Sequence, residues 1–149
     1  HELFAHPGGH AGKTGAHAGL SPSGQSEEIM LQRDIVELGT GADLHGADMT
    51  KAARRAVKDA ISRSCLCGLV EVLGRSSFQG VHVHAEIAVP DPAGVDVEAV
   101  KAAIPIGDKS VTIVSGGLRV PGLEVPIFGP GCSDIVMACA ALTVSVYVD

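Results

Sequence analysis

Apolar and polar residues alternate strictly along one segment: Val81, Val83, Ala85, Ile87 and Val89 fall on one face, His82, His84 and Glu86 on the other. A period of two is the signature of a strand with one buried face, and Pro90-Asp91-Pro92 ends it. Upstream the period changes. Ala52, Ala53, Ala56, Val57, Ala60 and Ile61 recur at helical spacing, predicting an amphipathic helix over residues 48–63. Lys51, Arg54, Arg55, Lys58 and Arg63 take its opposite face. Such a run is ordinarily a solvated face, and Arg54 and Arg55 are the members placed for an anion or a subunit contact. Ile35-Val36-Glu37-Leu38 predicts a short strand running into a glycine turn. Residues 96–104 predict a second helix, with Asp96 near its N-cap and Val97, Val100, Lys101 and Ile104 on its inner line. Residues 69–73 fit a strand or a helical turn. Residues 110–114 predict a strand closed by Ser115-Gly116-Gly117, residues 121–131 a long loop, and residues 135–148 a final buried strand or a pair of them.

This order, β-α-(β)-β-α-β-loop-β, predicts an α/β fold of the α+β sandwich kind, in which one mixed sheet carries two main helices on one face. The other face then needs a cover. Copies of the same chain supply one most simply, so a closed homo-oligomer is expected, with three subunits as the expected number. Residues 1–28 carry four of the seven histidines, much Gly, Ala, Ser and Pro, and no apolar period; they read as a flexible N-terminal extension preceding a single domain over residues 29–149. Gly12-Lys13-Thr14 ends like a phosphate-binding loop, but Pro7 stands where that motif needs glycine and no strand precedes it. His1, His6, His10 and His17 can catch a metal only adventitiously.

Composition narrows the function classes. A chain of 149 residues suits one domain. A net charge of −6 and only three Phe and one Tyr disfavour nucleic-acid binding. The longest apolar run, residues 135–148, contains Ser and Thr and falls short of the roughly 20 residues that cross a bilayer, so a soluble protein without a membrane partner is expected. Cys65 and Cys67 stand too close for a routine bridge, and Cys132 and Cys139 lack zinc-ribbon spacing; buried or idle thiols in a reducing compartment are the expectation.

Three constellations can carry chemistry. The run Gly39-Thr40-Gly41-Ala42-Asp43-Leu44-His45-Gly46 joins a glycine turn, a carboxylate and an imidazole to a helix start at Thr50 and Lys51. Glycines permit positive φ and close backbone approach, and a helix N-terminus attracts anions. Gly39, Thr40, Gly41, Gly46 and Thr50 are thus candidate ligand-binding residues. His45 is the candidate acid/base, Asp43 its orienting partner or a metal ligand, and Lys51 the cation for a carboxylate or phosphate. The plainer reading is a tight turn in which Asp48 or Thr50 caps the helix while Asp43 and His45 satisfy backbone groups. Second, His82, His84 and Glu86 share a strand face and can meet one divalent cation, Zn, Mn or Fe, with Asp43 and His45 completing the set if a neighbouring strand brings them near. The plainer reading there is a polar surface. Third, Ser115, Gly116 and Gly117 end a strand, where a plain turn is the alternative to a catalytic Ser115 with Gly116 and Gly117 binding ligand.

GxGxDxHG followed by Thr50-Lys51-Ala52-Ala53 resembles the signature of a family of small bacterial proteins with plant members that carry a long N-terminal prefix. The resemblance runs from Asp34 to the C-terminus. It implies membership without implying a reaction. A chain that starts at His1 then reads as a processed or truncated product, expected in the plastid stroma if from a plant or alga and otherwise in the cytoplasm. Val114-Ser115-Gly116-Gly117, with Gly39-Thr40-Gly41 and Asp48-Met49-Thr50, is similar to one repeat of the ring-opening amidohydrolases that act on cyanuric acid and barbiturate, three-repeat proteins that use Ser-Lys pairs. That likeness implies three chains in place of three repeats, with Ser115 catalytic. The strand lacks the family's lysine, and Lys51 would have to replace it. The function expected is an enzyme, metal-assisted or amidohydrolase-like, for a small anionic or cyclic amide-like metabolite. The alternative is a non-catalytic ligand-binding or oligomeric assembly protein.

Overall fold

The computed structural model describes residues 30–148. The proposed extension, the Gly12-Lys13-Thr14 segment and His1, His6, His10 and His17 lie outside the described residues. The elements are β1 (Met30–Asp43), α1 (Met49–Arg63), a π-helical turn (Gly68–Val72), β2 (Val81–Val89), α2 (Val97–Lys101), β3 (Asp108–Ser115), β4 (Leu118–Pro121) and β5 (Asp134–Val148). The five strands form one mixed sheet in the order β1-β5-β2-β3, with β4 also paired to β5. The β2–β3 pair is parallel and joined through α2; the others are antiparallel. This is the α+β sandwich that the periodicities predict. The ambiguous 69–73 segment is the π-helical turn, residues 135–148 form one long strand, and β4 is a strand that the Pro/Gly-rich sequence hides.

The core lies between α1 and one sheet face. Ala52, Ala53, Ala56, Val57 and Ala60 of α1 are fully buried against Val81, Ala85, Ile87 and Val89 of β2 and Val136, Ala138 and Val146 of β5. Aromatic side chains are absent from this core, so bulk cannot hold the layers apart, and helix and sheet approach closely. Here the structure corrects the glycine turn. Gly39 and Gly41 lie inside β1, which runs on to Asp43 instead of ending near Leu38. A Cβ on Gly39 would sit 2.2 Å from the Ala56 carbonyl oxygen, and one on Gly41 2.3 Å from the Ala56 nitrogen. These two glycines therefore let α1 rest directly on β1.

The charged side of α1 is not simply solvated. Among the described residues the outer edge of β1 has no strand partner, and α1 covers it from Leu38 to Ala42: Asp59 accepts a hydrogen bond from the Thr40 N–H at 2.8 Å, Arg63 donates to the Leu38 carbonyl at 2.8 Å, and Arg55 donates to the Ala42 carbonyl. That part of the edge is closed to strand addition. The face of the sheet away from the helices carries no layer among the described residues. Leu38 there is 67% exposed, and Val36, Met137 and Tyr147 are also open to solvent. Three of the four cysteines, Cys65, Cys67 and Cys139, are exposed and unbridged, which removes the buried and leaves the idle alternative for these thiols. Among the described residues no helix is long and apolar enough to cross a membrane.

Candidate functional site

The segment between β1 and α1 is built around one buried carboxylate. Asp43, the last residue of β1, is 1% exposed. One of its oxygens lies 2.6 Å from the Lys51 ammonium, and the other accepts from the Asp48 N–H at 3.1 Å. Burial pushes its carboxyl up. The hydrogen bonds from Lys51 and the Asp48 N–H, with the charges of Lys51 and Arg55, outweigh burial and hold it below the ordinary carboxylate range. Asp48 in turn caps α1 by accepting from the Lys51 N–H at 2.9 Å. The loop reverses direction at Gly46 and Ala47, both left-handed, with φ of 94° and 53°.

His45 projects from this loop half-buried. Its ring stacks on Phe128 with centroids 4.4 Å apart and planes 19° from parallel. Phe128 belongs to a 3-10 turn, Pro126–Phe128, in the long loop before β5, so two segments distant in sequence clamp the imidazole. The Nδ1 atom is buried and has no hydrogen-bond partner among the described residues. Asp43 therefore does not orient His45, contrary to expectation, because both its oxygens serve Lys51 and the helix start. Phe128 is the residue that sequence reasoning missed. The Pro-x-Phe-Gly cluster that carries it falls in the long loop predicted over residues 121–131, and no local pattern pairs it with His45.

The remaining candidates separate. Thr50 ties α1 to α2: its hydroxyl donates to the Gly94 carbonyl at 3.3 Å and accepts from the Asp96 N–H at 2.9 Å, so its hydroxyl is already engaged within the fold. Ser115, Gly116 and Gly117 stand at the C-terminal end of β3, the same end of the sheet as Asp43. Ser115, on β3, lies three strand spacings from Asp43, roughly 14 Å, whereas Gly117 leads into β4, whose Arg119 pairs with Val136, the β5 partner of Asp43, so that this end stands two spacings away, roughly 10 Å. Gly116 is pressed on Ala88, where a Cβ would lie 2.9 Å from the Ala88 Cβ, and Gly117 turns the chain with φ 69°. His82, His84 and Glu86 do share the open face of β2. His84 Nδ1 is 2.8 Å from the Ser110 hydroxyl, while His82 lies edge-on to Tyr147 and 3.8 Å from an Asp108 oxygen. No group of three or more His, Cys, Asp or Glu residues converges on a cation position among the described residues. Nor can Asp43 and His45 complete the set. Asp43 pairs with Val136 and His82 with Ser145, nine residues along β5, which is about 30 Å.

A second cluster adjoins the loop. Lys51, Arg54, Arg55 and Lys58 line an exposed groove of about 170 Å³ on α1. The arrangement at this end of the molecule thus offers an imidazole with one unengaged nitrogen, a flat aromatic wall and a concentration of cations.

No curated protein matches the chain. Among solved structures, an FtsZ-like protein of unknown function from Nostoc punctiforme is similar, with 37% identity and a TM-score of 0.72 over 81% of this chain and 100% of that one. The family model described as a conserved hypothetical protein, Lin0512_fam, matches residues 33–144, which takes in every strand and helix of the sandwich but the first few residues of β1 and the last few of β5. The protein belongs to the Lin0512 family of conserved hypothetical proteins.

Proposed function

We propose that this protein is an enzyme that hydrolyses a small anionic or cyclic amide-like metabolite bound beside residues 43–51, with His45 as the group that takes or gives the proton. One observation carries the reading: among the described residues His45 Nδ1 is buried without a partner while Phe128 fixes the ring. A buried polar atom left unpaired costs about 1–3 kcal/mol, and a ligand donor or acceptor at that atom removes the cost. An imidazole held in one orientation suits proton transfer. Lys51 keeps its position through Asp43, and together with Arg54 and Arg55 it supplies positive charge for an anionic group. The flat face of Phe128 suits a planar ring.

The test uses isotopically labelled protein titrated with cyanurate, barbiturate and small dicarboxylates, followed by mass spectrometry of the incubated compounds. Saturable shifts confined to the His45 imidazole, residues 43–51 and residues 126–128 are expected for at least one of them. His45→Gln should lower turnover at least ~100-fold, the usual scale of general acid/base contributions, with an unchanged circular dichroism spectrum. Turnover that survives His45→Gln would remove the assignment. Saturable binding without conversion would leave the second reading, a non-catalytic ligand-binding protein, which the full engagement of Asp43 within the fold favours.

A further inference from the structure

We propose that the open face of the sheet packs against the same face of a second copy of this chain about a two-fold axis running along the strands. Strand pairing lines up one row across that face. Glu86 pairs with Ala141, Ala141 pairs with Leu38, and Arg63 is bonded to the Leu38 carbonyl at the outer edge of β1. The row therefore reads acid, small, large, base, the base being an Arg63 guanidinium that also pairs with Asp59 at 2.6 Å. Its two charged ends are roughly 14 Å apart, given strand spacings of about 4.8 Å. A two-fold axis between the facing sheets, parallel to the strands and under the middle of this row, exchanges its ends. Arg63 of each copy then stands opposite Glu86 of the partner subunit, and Leu38 stands opposite Ala141 of the partner subunit. An axis running across the strands would instead set Glu86 against Glu86 of the partner subunit.

Shape follows charge. Leu38, Glu86, Ala88, Val114, Cys139 and Ala141 border a depression of about 460 Å³ whose floor is made of small side chains, and Leu38 is the exposed apolar group beside it. Under the two-fold, each Leu38 enters the depression of the other copy. Among the described residues Glu86 has no ion-pair partner, so the arrangement supplies one. Four strands about 4.8 Å apart and some eight residues long give a face of roughly 500 Å² in flat projection, of the same order as the ~800 Å² of accessible surface that each partner buries in a stable interface. Asp59, Arg55 and Arg63 occupy the edge of β1 at Leu38, Thr40 and Ala42, so adding a strand along that part of the edge is closed.

The experiment is sedimentation equilibrium of residues 1–149, wild type and the charge reversals Arg63→Glu and Glu86→Arg, alone and mixed. Wild type is expected as a dimer. Each reversal alone sets like charges together twice and should weaken the dimer at least ~100-fold, since like charges juxtaposed at an interface cost several kcal/mol. An equimolar mixture of the two should dimerise again, because one copy then supplies two acids and the other two bases. Arg63 also holds the Leu38 carbonyl, so Leu38→Glu serves as an independent probe and should give a folded monomer. A wild-type monomer or trimer, single reversals as dimeric as wild type, a mixture of folded variants that stays monomeric, or a dimeric Leu38→Glu would each overturn the two-fold.

Discussion

Asp43 shows how one buried side chain can be structural and electrostatic at once. Its oxygens meet the Lys51 ammonium and the Asp48 N–H, so it joins the end of β1 to the start of α1. Its carboxyl titrates below the ordinary range in the folded chain, and the native state therefore binds fewer protons than the unfolded one. The stability it contributes is fully present above the carboxylate range of the unfolded chain and is lost as pH falls through the depressed folded value. Asp43→Asn should lower stability at neutral pH by about 1–3 kcal/mol, as for a hydrogen bond to a charged group, and flatten the acid limb of a plot of urea midpoint against pH. An acid limb identical to wild type would place the responsible carboxyl elsewhere. Ala47 is the one described residue other than glycine with positive φ, at 53°. Glycine pays no Cβ penalty in that region, so Ala47→Gly should raise the thermal midpoint, with a gain of about 1 kcal/mol or slightly less after the added entropy of the unfolded chain.

At the scale of elements, the contact between β1 and α1 decides the architecture. Alanines on one side and glycines on the other leave no room between them: a Cβ at Gly41 would lie 2.3 Å from the Ala56 nitrogen and 2.5 Å from the Ala52 carbonyl oxygen. Gly41→Ala and Gly39→Ala should each cost about 3 kcal/mol or more, the upper range for overpacking, because backbone and not a flexible side chain must move. Denaturant midpoints check this, and a loss under 1 kcal/mol would mean that α1 is free to shift. The same elements show what a sequence discloses. Helix α1, its N-cap region and the alternation of β2 are periodic signals that burial enforces, and they appear where the spacing predicts them. The Gly39–Gly41 stretch misleads because a glycine that admits a ligand and a glycine that admits a helix leave the same mark. The side chains of Asp59, Arg55 and Arg63 on the edge of β1 were hidden for a related reason. A charge on the outer face of a helix is indistinguishable from solvent exposure until the neighbouring edge strand is in place.

For the whole molecule, the sheet sets which candidate residues can act together. Spacing along the chain leaves open whether His45 and the His82/His84 pair share one centre, a question that only strand order settles. Strand β5 is 15 residues long and touches both neighbourhoods, Asp43 through Val136 and His82 through Ser145. A strand of that length holds its ends apart. The two histidine sites are about 30 Å from one another on a rigid, fully paired strand, and groups beyond about 10 Å without shared partners contribute independently. His45→Ala and His82→Ala should therefore add: the stability loss of the double variant should equal the sum of the single losses within about 0.5 kcal/mol, in the presence or absence of added zinc. The two losses have different origins. His45→Ala removes the stacking partner of Phe128 and loosens the loop before β5, whereas His82→Ala removes an edge-on contact with Tyr147 near the last residues of the sheet. A coupling beyond 1 kcal/mol would mean that the two ends of β5 communicate along the strand. Additivity would separate His45, at the end of the sheet where β1 meets α1, from the histidines on the open face of β2.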